Sequence, residues 1–243
     1  TVSSDFCPLA VTIMIIKPMP TMEKYGNIFF AGTSSNENGV DQFSILKYTP
    51  QGFLDNSFGT NGKSIPISEG NAHEGIIPII NNDGNNLICG FELKNGRYSL
   101  AIGSIDSGGI PDLSFGSKSI YTVNIGLGKN INGIAQAILT SNKGKVYVAG
   151  YVNNGNTNSV VLTKLNADGQ PDASFGENGS TYAALTERLQ FYDYFSQWPR
   201  KLMSIVKDTA DNIFLIAQSF DYYNDRAIVS VFKFNPNGKL DLT

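Results

Sequence analysis

A short marker, LNADGQPDASFGENG at residues 165–179, recurs along the chain at an almost constant interval. Earlier copies read YTPQGFLDNSFGTNG at residues 48–62 and IDSGGIPDLSFGSKS at residues 105–119, and a fourth begins as FNPNGKLDLT at residues 234–243. Measured on the aspartates Asp55, Asp112, Asp172 and Asp241, the copies stand 57, 60 and 69 residues apart. A second mark keeps nearly the same beat, with GNIFFAG ending at Gly32, NNLICG at Gly90, GKVYVAG at Gly150 and DNIFLIA at Ala217. Two independent marks on one period near sixty confine the chain to repeat architectures.

Each repeat reads as four short strands. In the second, GIIPIINN, NNLICGFEL, RYSLAIGSI and KSIYTVNI are separated by turns containing Asn-Asp-Gly, Asn-Gly and the marker. The third repeats this as INGIAQAILT, KGKVYVAGYV, NSVVLTKL and STYAAL; the first opens with LAVTIMII, and the fourth runs RKLMSIV, NIFLIA and AIVSVFKF. Short β-branched and aromatic runs punctuated by such turns describe antiparallel meanders, and four strands in about sixty residues make one propeller blade. A β-helix needs a shorter period, a sandwich would not repeat so evenly, and separate sixty-residue domains would each be marginal alone. The expected fold is therefore all-β, a single β-propeller domain over residues 1–243 with four four-stranded antiparallel blades. Its repeats fall at approximately 6–62, 63–122, 123–182 and 183–243. By its spacing from Gly32, the opening TVSSDF corresponds to an outermost strand, so the N-terminal strand is expected to complete the last blade and remove two raw edges.

Composition narrows the partners. The net charge is −3 and the pI is 5.2, which leaves no global positive field for a phosphate backbone, so nucleic acid is not expected as a partner. The longest apolar run, LAVTIMII, is less than half the roughly 20 residues of a spanning helix, so no membrane insertion is expected. Cys89 takes the place of Ala31 and Ala149 in the other repeats and reads as a small buried hydrophobe rather than a nucleophile or half of a disulfide with Cys7.

With its marker and period, the chain resembles the delta-60 repeat family, bacterial proteins with the pattern L-x-x-x-G-x-x-D-x-S-F-G-x-x-G. The resemblance runs through essentially the whole chain, departing at Ser119, at Thr243 and in the longer last interval. It implies a β-propeller and no known activity, and it implies an exported protein, secreted, periplasmic or on the cell surface.

Within the marker, Gly52, Gly109, Gly169 and Gly238 suit a positive φ, and Asp55, Asp112, Asp172 and Asp241 can accept bonds from amides two or three residues on. Phe58, Phe115 and Phe175 are expected to plug the gaps between blades, with Gly59, Gly116 and Gly176 permitting a tight exit. A calcium loop is the rival reading of NADGQPD and NNDGN, but both lack the terminal bidentate Glu, so no metal and no other cofactor is expected. His73, the only histidine, is expected in a turn before GIIPII. No G-x-S-x-G elbow, P-loop, Rossmann fingerprint, C-x-x-C or H-E-x-x-H is present, so no catalytic residue is assigned and the chain is expected not to be an enzyme.

One stretch departs from the repeat. TERLQFYDYFSQWPR, residues 186–200, holds Tyr192, Tyr194, Trp198 and Arg200, and a second aromatic island, FDYYNDR at 220–226, holds Tyr222, Tyr223 and Arg226. In a four-stranded meander both emerge at the end opposite the markers. Clustered Tyr, Trp and Arg on loops are the composition of binding surfaces, so these seven residues are the candidate ligand site, with a protein or a carbohydrate as partner. The function expected is a non-enzymatic binding module; the alternatives are a structural repeat segment of a larger exported protein, or a hydrolase or lyase using carboxylates such as Asp193 and Asp225.

Overall fold

A computed structural model describes residues 13–14, 20–66, 71–80, 85–94, 97–123, 132–141, 144–153, 158–185, 203–221 and 226–242. No helix occurs among them, and so none that is long and apolar enough to cross a membrane. The first sheet contains β1 (Ile13–Met14), β2 (Thr21–Met22), β3 (Ile28–Ser35), β4 (Asp41–Tyr48) and β5 (Lys63–Ser64). Both β1 and β2 pair with β3, through Ile13↔Ser34 and Thr21↔Phe29, so together they fill the place of one inner strand. The second sheet is β6 (Asn71–Ile80), β7 (Asn86–Lys94), β8 (Arg97–Ile105) and β9 (Ile120–Val123). The third is β10 (Asn132–Thr140), β11 (Val146–Asn153), β12 (Asn158–Leu165) and β13 (Ser180–Ala184). The fourth is β14 (Met203–Lys207), β15 (Ile213–Asp221), β16 (Arg226–Phe234) and β17 (Leu240–Asp241).

All neighbouring strands are antiparallel and follow chain order, the up-and-down meander of propeller blades. Strand pairing stays in register around the second mark: Gly32↔Ser44, Gly90↔Ala101, Gly150↔Val161 and Ala217↔Ser230 are equivalent pairs. Because side chains alternate across a strand, each blade has a back face toward the preceding blade and a front face toward the next. On the front of the first blade, Phe29, Ala31, Phe43 and Ile45 pack with Ile88, Ala101 and Ile105 on the back of the second. Leu87, Cys89, Leu100 and Ile102 meet Val148, Val152 and Val161 in the same way. Ala149, Val160 and Leu162 meet Ile213, Leu215 and Ala217, and the Tyr151 hydroxyl crosses to the Gln218 carbonyl at 2.9 Å. Each seam thus repeats one pattern of burial, and each large apolar side chain in it contributes about 1.5–3 kcal/mol.

Two expectations need adjustment. His73 lies inside β6, paired with Phe91 across an irregularity in register between His73 and Ile77, because the strand starts at Asn71 rather than at Gly75. The fourth strand of the first blade is shorter than its apolar run suggested, β5 spanning Lys63–Ser64 only, whereas β13 keeps five residues of STYAAL. The closing strand expected from residues 1–5 lies outside the described residues. Cys89 sits as expected, fully buried in the second seam, where burial pushes its thiol up to about 12. In a Cys7→Ser background, native protein at pH 8 should therefore resist iodoacetamide while urea-unfolded protein is alkylated within minutes; rapid native labelling by mass spectrometry would contradict the packing.

Candidate functional site

The marker forms the joint between blades. After β4, β8 and β12 the chain makes a tight turn closed by Gly52 N–H to the Thr49 carbonyl, Gly109 N–H to Asp106 and Gly169 N–H to Asn166, with φ of 84°, 85° and 75° at the glycines. Three residues later an aspartate reverses the chain again. Oδ1 of Asp55, Asp112 and Asp172 accepts the backbone N–H and the hydroxyl of Ser57, Ser114 and Ser174, two positions on. This delivers Phe58, Phe115 and Phe175 into the seams at 1%, 1% and 0% exposure.

The next residue crosses the seam. Gly59 N–H donates to the Gly108 carbonyl, Gly116 N–H to Asp168 and Gly176 N–H to Asn237, each at 2.8 Å. The turn glycine of the following blade lies directly over this bond. A Cβ on Gly109 would stand 2.5 Å from Gly59 N, one on Gly169 2.8 Å from Gly116 N and one on Gly238 2.9 Å from Gly176 N. These glycines therefore serve backbone approach as well as positive φ, a second demand that no single marker copy reveals. Gly59, Gly116 and Gly176 are constrained too, since a Cβ on any of them would meet the carbonyl of the fourth residue on at 2.2–2.5 Å. Ser119, which replaces the final marker glycine, keeps the conformation of its counterparts with φ 74°.

Charge at this end is spent on the joint. Lys164 and Lys145 both reach Asp172 Oδ2 at 3.2 Å, Lys47 reaches Asp55 at 3.1 Å and Lys233 reaches Asp241 at 2.6 Å. The Ser174 hydroxyl, then Lys164 and Lys145, hold the Asp172 carboxyl well below the usual carboxylate range against the opposing effect of burial. Ser57, then Lys47, depress Asp55 in the same sense. Two ammonium groups on the Asp172 carboxylate are the reverse of a cation site, and among the described residues no three His, Cys, Asp or Glu gather as metal ligands. Asp55, Phe58 and Gly59, then Asp112, Phe115 and Gly116, then Asp172, Phe175 and Gly176 thus make the same joint three times, while Asp241 is seen in its ion pair with Lys233.

The opposite end is defined by the strand termini. Leu165 at the marker end of β12 pairs with Val146, and at the other end Asn158 pairs with Asn153. There β13 ends at Ala184, β14 begins at Met203, and β15 and β16 meet at Asp221↔Arg226. The links carrying both aromatic islands therefore leave from the end away from the markers. Tyr192, Tyr194, Trp198, Arg200, Tyr222 and Tyr223 lie outside the described residues, as do Asp193 and Asp225; Arg226 opens β16. Toward this end the structure also holds Glu92, which sequence reading passed over: it is 4% exposed, and its Oε2 accepts the Thr122 hydroxyl at 3.1 Å. Its only signal was a carboxylate in an apolar strand.

Comparison with known proteins bears on fold. Residues 26–58 and 144–175 match the family model described as a β-propeller domain of unknown function (DUF5122), and both matches run from the second strand to the marker or its Phe. No curated protein matches the sequence. An endo-arabinase from Bacteroides thetaiotaomicron is similar in structure, with a TM-score of 0.46 and 14% identity over 90% of this chain and 76% of that one. A thermostable family-43 glycoside hydrolase gives 0.47 and 11% over 93% and 74%. An α-L-arabinofuranosidase from Clostridium thermocellum gives 0.44 and 13% over 92% and 70%. The expectations of a non-enzymatic binding module and of a chain that is not an enzyme are corrected by this comparison, since these three similar structures are an arabinase, a glycoside hydrolase and an arabinofuranosidase.

Two outcomes follow from the joint. Gly176→Ala should cost at least about 2 kcal/mol in urea unfolding, whereas Gly39→Ala, with φ 72° and nothing within 4 Å of the added Cβ, should cost only about 1 kcal/mol for handedness; equal losses would refute the close approach. Because Asp172 titrates lower when folded than when unfolded, its contribution is complete above about pH 4 and disappears as pH falls through the folded value. Urea midpoints measured from pH 6 to pH 2 should fall less steeply for Asp172→Asn than for the parent chain.

Proposed function

We propose that the chain is a structural segment of a β-propeller repeat protein, a rigid blade array whose joints occupy one end and whose other end carries the links that differ between repeats. The observation that supports it is the identity of the three joints among the described residues: the same N–H···O bond, the same buried Phe and the same over-packed glycine at each seam. A fold held at the marker end tolerates change at the far end. Replacing residues 186–202 and 222–225 by short Asn-Gly turns should leave a cooperative unfolding transition with a similar urea m-value. Loss of that transition by circular dichroism would reject the scaffold reading.

A second reading, hydrolysis of glycosidic bonds, has its own support in the strand termini: the link bearing Asp193 runs from β13 of the third blade into β14 of the fourth, and it joins them at the same end at which the link bearing Asp225 leaves β15. Glycoside hydrolysis uses two carboxylates flanking the scissile bond. On this reading, reducing ends released from arabinan or xylan should vanish with Asp193→Asn and with Asp225→Asn while the fold is kept.

A further inference from the structure

Among the described residues, four Asn-Gly pairs lie in turns with the asparagine exposed: Asn38–Gly39, Asn61–Gly62, Asn178–Gly179 and Asn237–Gly238. An asparagine before glycine is open to attack by its own backbone, because the glycine nitrogen carries no neighbouring Cβ to keep it from the side-chain amide carbon. Between pairs of equal sequence, the state of that nitrogen decides. Gly39 N–H donates to the Asn36 carbonyl at 3.0 Å, Gly179 N–H to Phe175 at 3.0 Å and Gly238 N–H to Asn235 at 2.8 Å. Gly62 N–H donates to no backbone carbonyl among the described residues.

Asn61 and Asn178 hold the same place in the marker with the same backbone, φ 51° and 50°, followed by glycines at 83° and 87°. Their cover differs as well. The three atoms nearest a Cβ on Gly62 all belong to the Leu54 side chain, whereas a Cβ on Gly179 would meet the Pro171 ring at 2.7 Å and the backbone of Pro171 and Asp172 at 3.2 and 3.3 Å. A leucine side chain can turn to another rotamer; a proline ring and a main chain cannot. In the second blade the place is held by Lys118 and Ser119 at φ 55° and 74°, with neither the amide nor the glycine.

From these differences we infer that Asn61 is a site of self-modification, converting through a cyclic imide to aspartate and isoaspartate, and that the change loosens the first joint alone. The Gly62 nitrogen bonds to Asn61 Cγ, the Cγ–Nδ2 bond breaks, and Nδ2 leaves as ammonia with the proton that the Gly62 nitrogen gives up. Water then opens the imide. Opening at Cγ leaves aspartate; opening at the backbone carbonyl leaves isoaspartate, with the side-chain carbon now part of the main chain. No oxidant or cofactor takes part. Isoaspartate lengthens the backbone beside Gly62, whose carbonyl accepts the Lys47 N–H at 3.2 Å. Lys47 in turn reaches Asp55 and lies over Phe58, so the displacement is passed to the marker.

Incubating the native chain at pH 8 for days tests this, read by peptide mass and by isoaspartyl methyltransferase labelling. Asn61 should convert about fivefold faster than Asn38, Asn178 or Asn237, the factor that one hydrogen bond held by the competing glycine imposes. In the urea-unfolded chain the four pairs should convert at similar rates, which separates structure from sequence as the cause. Converted protein, isolated by ion exchange, should show faster amide exchange at Gly59, which donates across the first seam, with Gly116 and Gly176 unchanged. Equal native rates at Asn61 and Asn178 would overturn the site, as would an Asn61 that stays intact while the unfolded chain converts. Unchanged exchange at Gly59 would overturn its link to the joint.

Discussion

Stability here depends on a hydrogen bond between backbones of successive blades. A marker glycine donates across the seam, and the bond survives only because a second glycine, one repeat later, lies over it without a Cβ. The Phe that precedes the donor fills the seam beneath, so a polar closure and an apolar closure are made by adjacent residues. One short segment therefore performs three tasks: it reverses the chain within a blade, fixes the distance between blades and removes an aromatic ring from water. A repeat with nearest-neighbour joints of this kind needs no independently stable unit.

Much of this was legible in the sequence, for physical reasons that differ from element to element. β8 runs over the residues that its alternating pattern marked, because RYSLAIGSI lies between two turns with strong local preferences. The burial of Phe58, Phe115 and Phe175 followed from an aromatic ring recurring beside turn residues in a polar segment. What escaped was every property that depends on the neighbouring blade. The glycine of the turn looked like a conformational choice, and its crowding against Gly59 or Gly116 emerges only when two markers are placed side by side. His73 looked like a loop residue because strand pairing with Phe91, not local sequence, carries β6 back to Asn71. Glu92 drew no notice, since its partner Thr122 lies two strands away. Of the candidate ligand residues, Arg226 is placed at a strand start, and that position follows from register rather than from its neighbours in sequence.

The ionic part of the joint is less uniform than its backbone, and the differences are coupled. Cross-strand partners at the marker end of each blade are Phe29 with Lys47, Tyr147 with Lys164 and Phe214 with Lys233, but Leu87 with Ser104. In the first and third blades the lysine lies over an aromatic face, 5.9 Å from the Phe29 centroid and 5.6 Å from that of Tyr147, and it also reaches the marker ring at 5.8 Å from Phe58 and 5.6 Å from Phe175. Where lysine is absent, the aromatic partner is absent with it, and Asp112 is held by Asn85 at 3.0 Å and Ser104 at 3.3 Å. Such pairing within one chain is what a cation stacked between two rings and a carboxylate requires: losing the charge removes the reason for the ring. The Asp, Phe and Gly of the marker do not vary with it, because the turn and the backbone bond across the seam are the same whether lysine or serine supports them. The second blade therefore separates the two contributions: backbone geometry sets the joint, and charge tunes it.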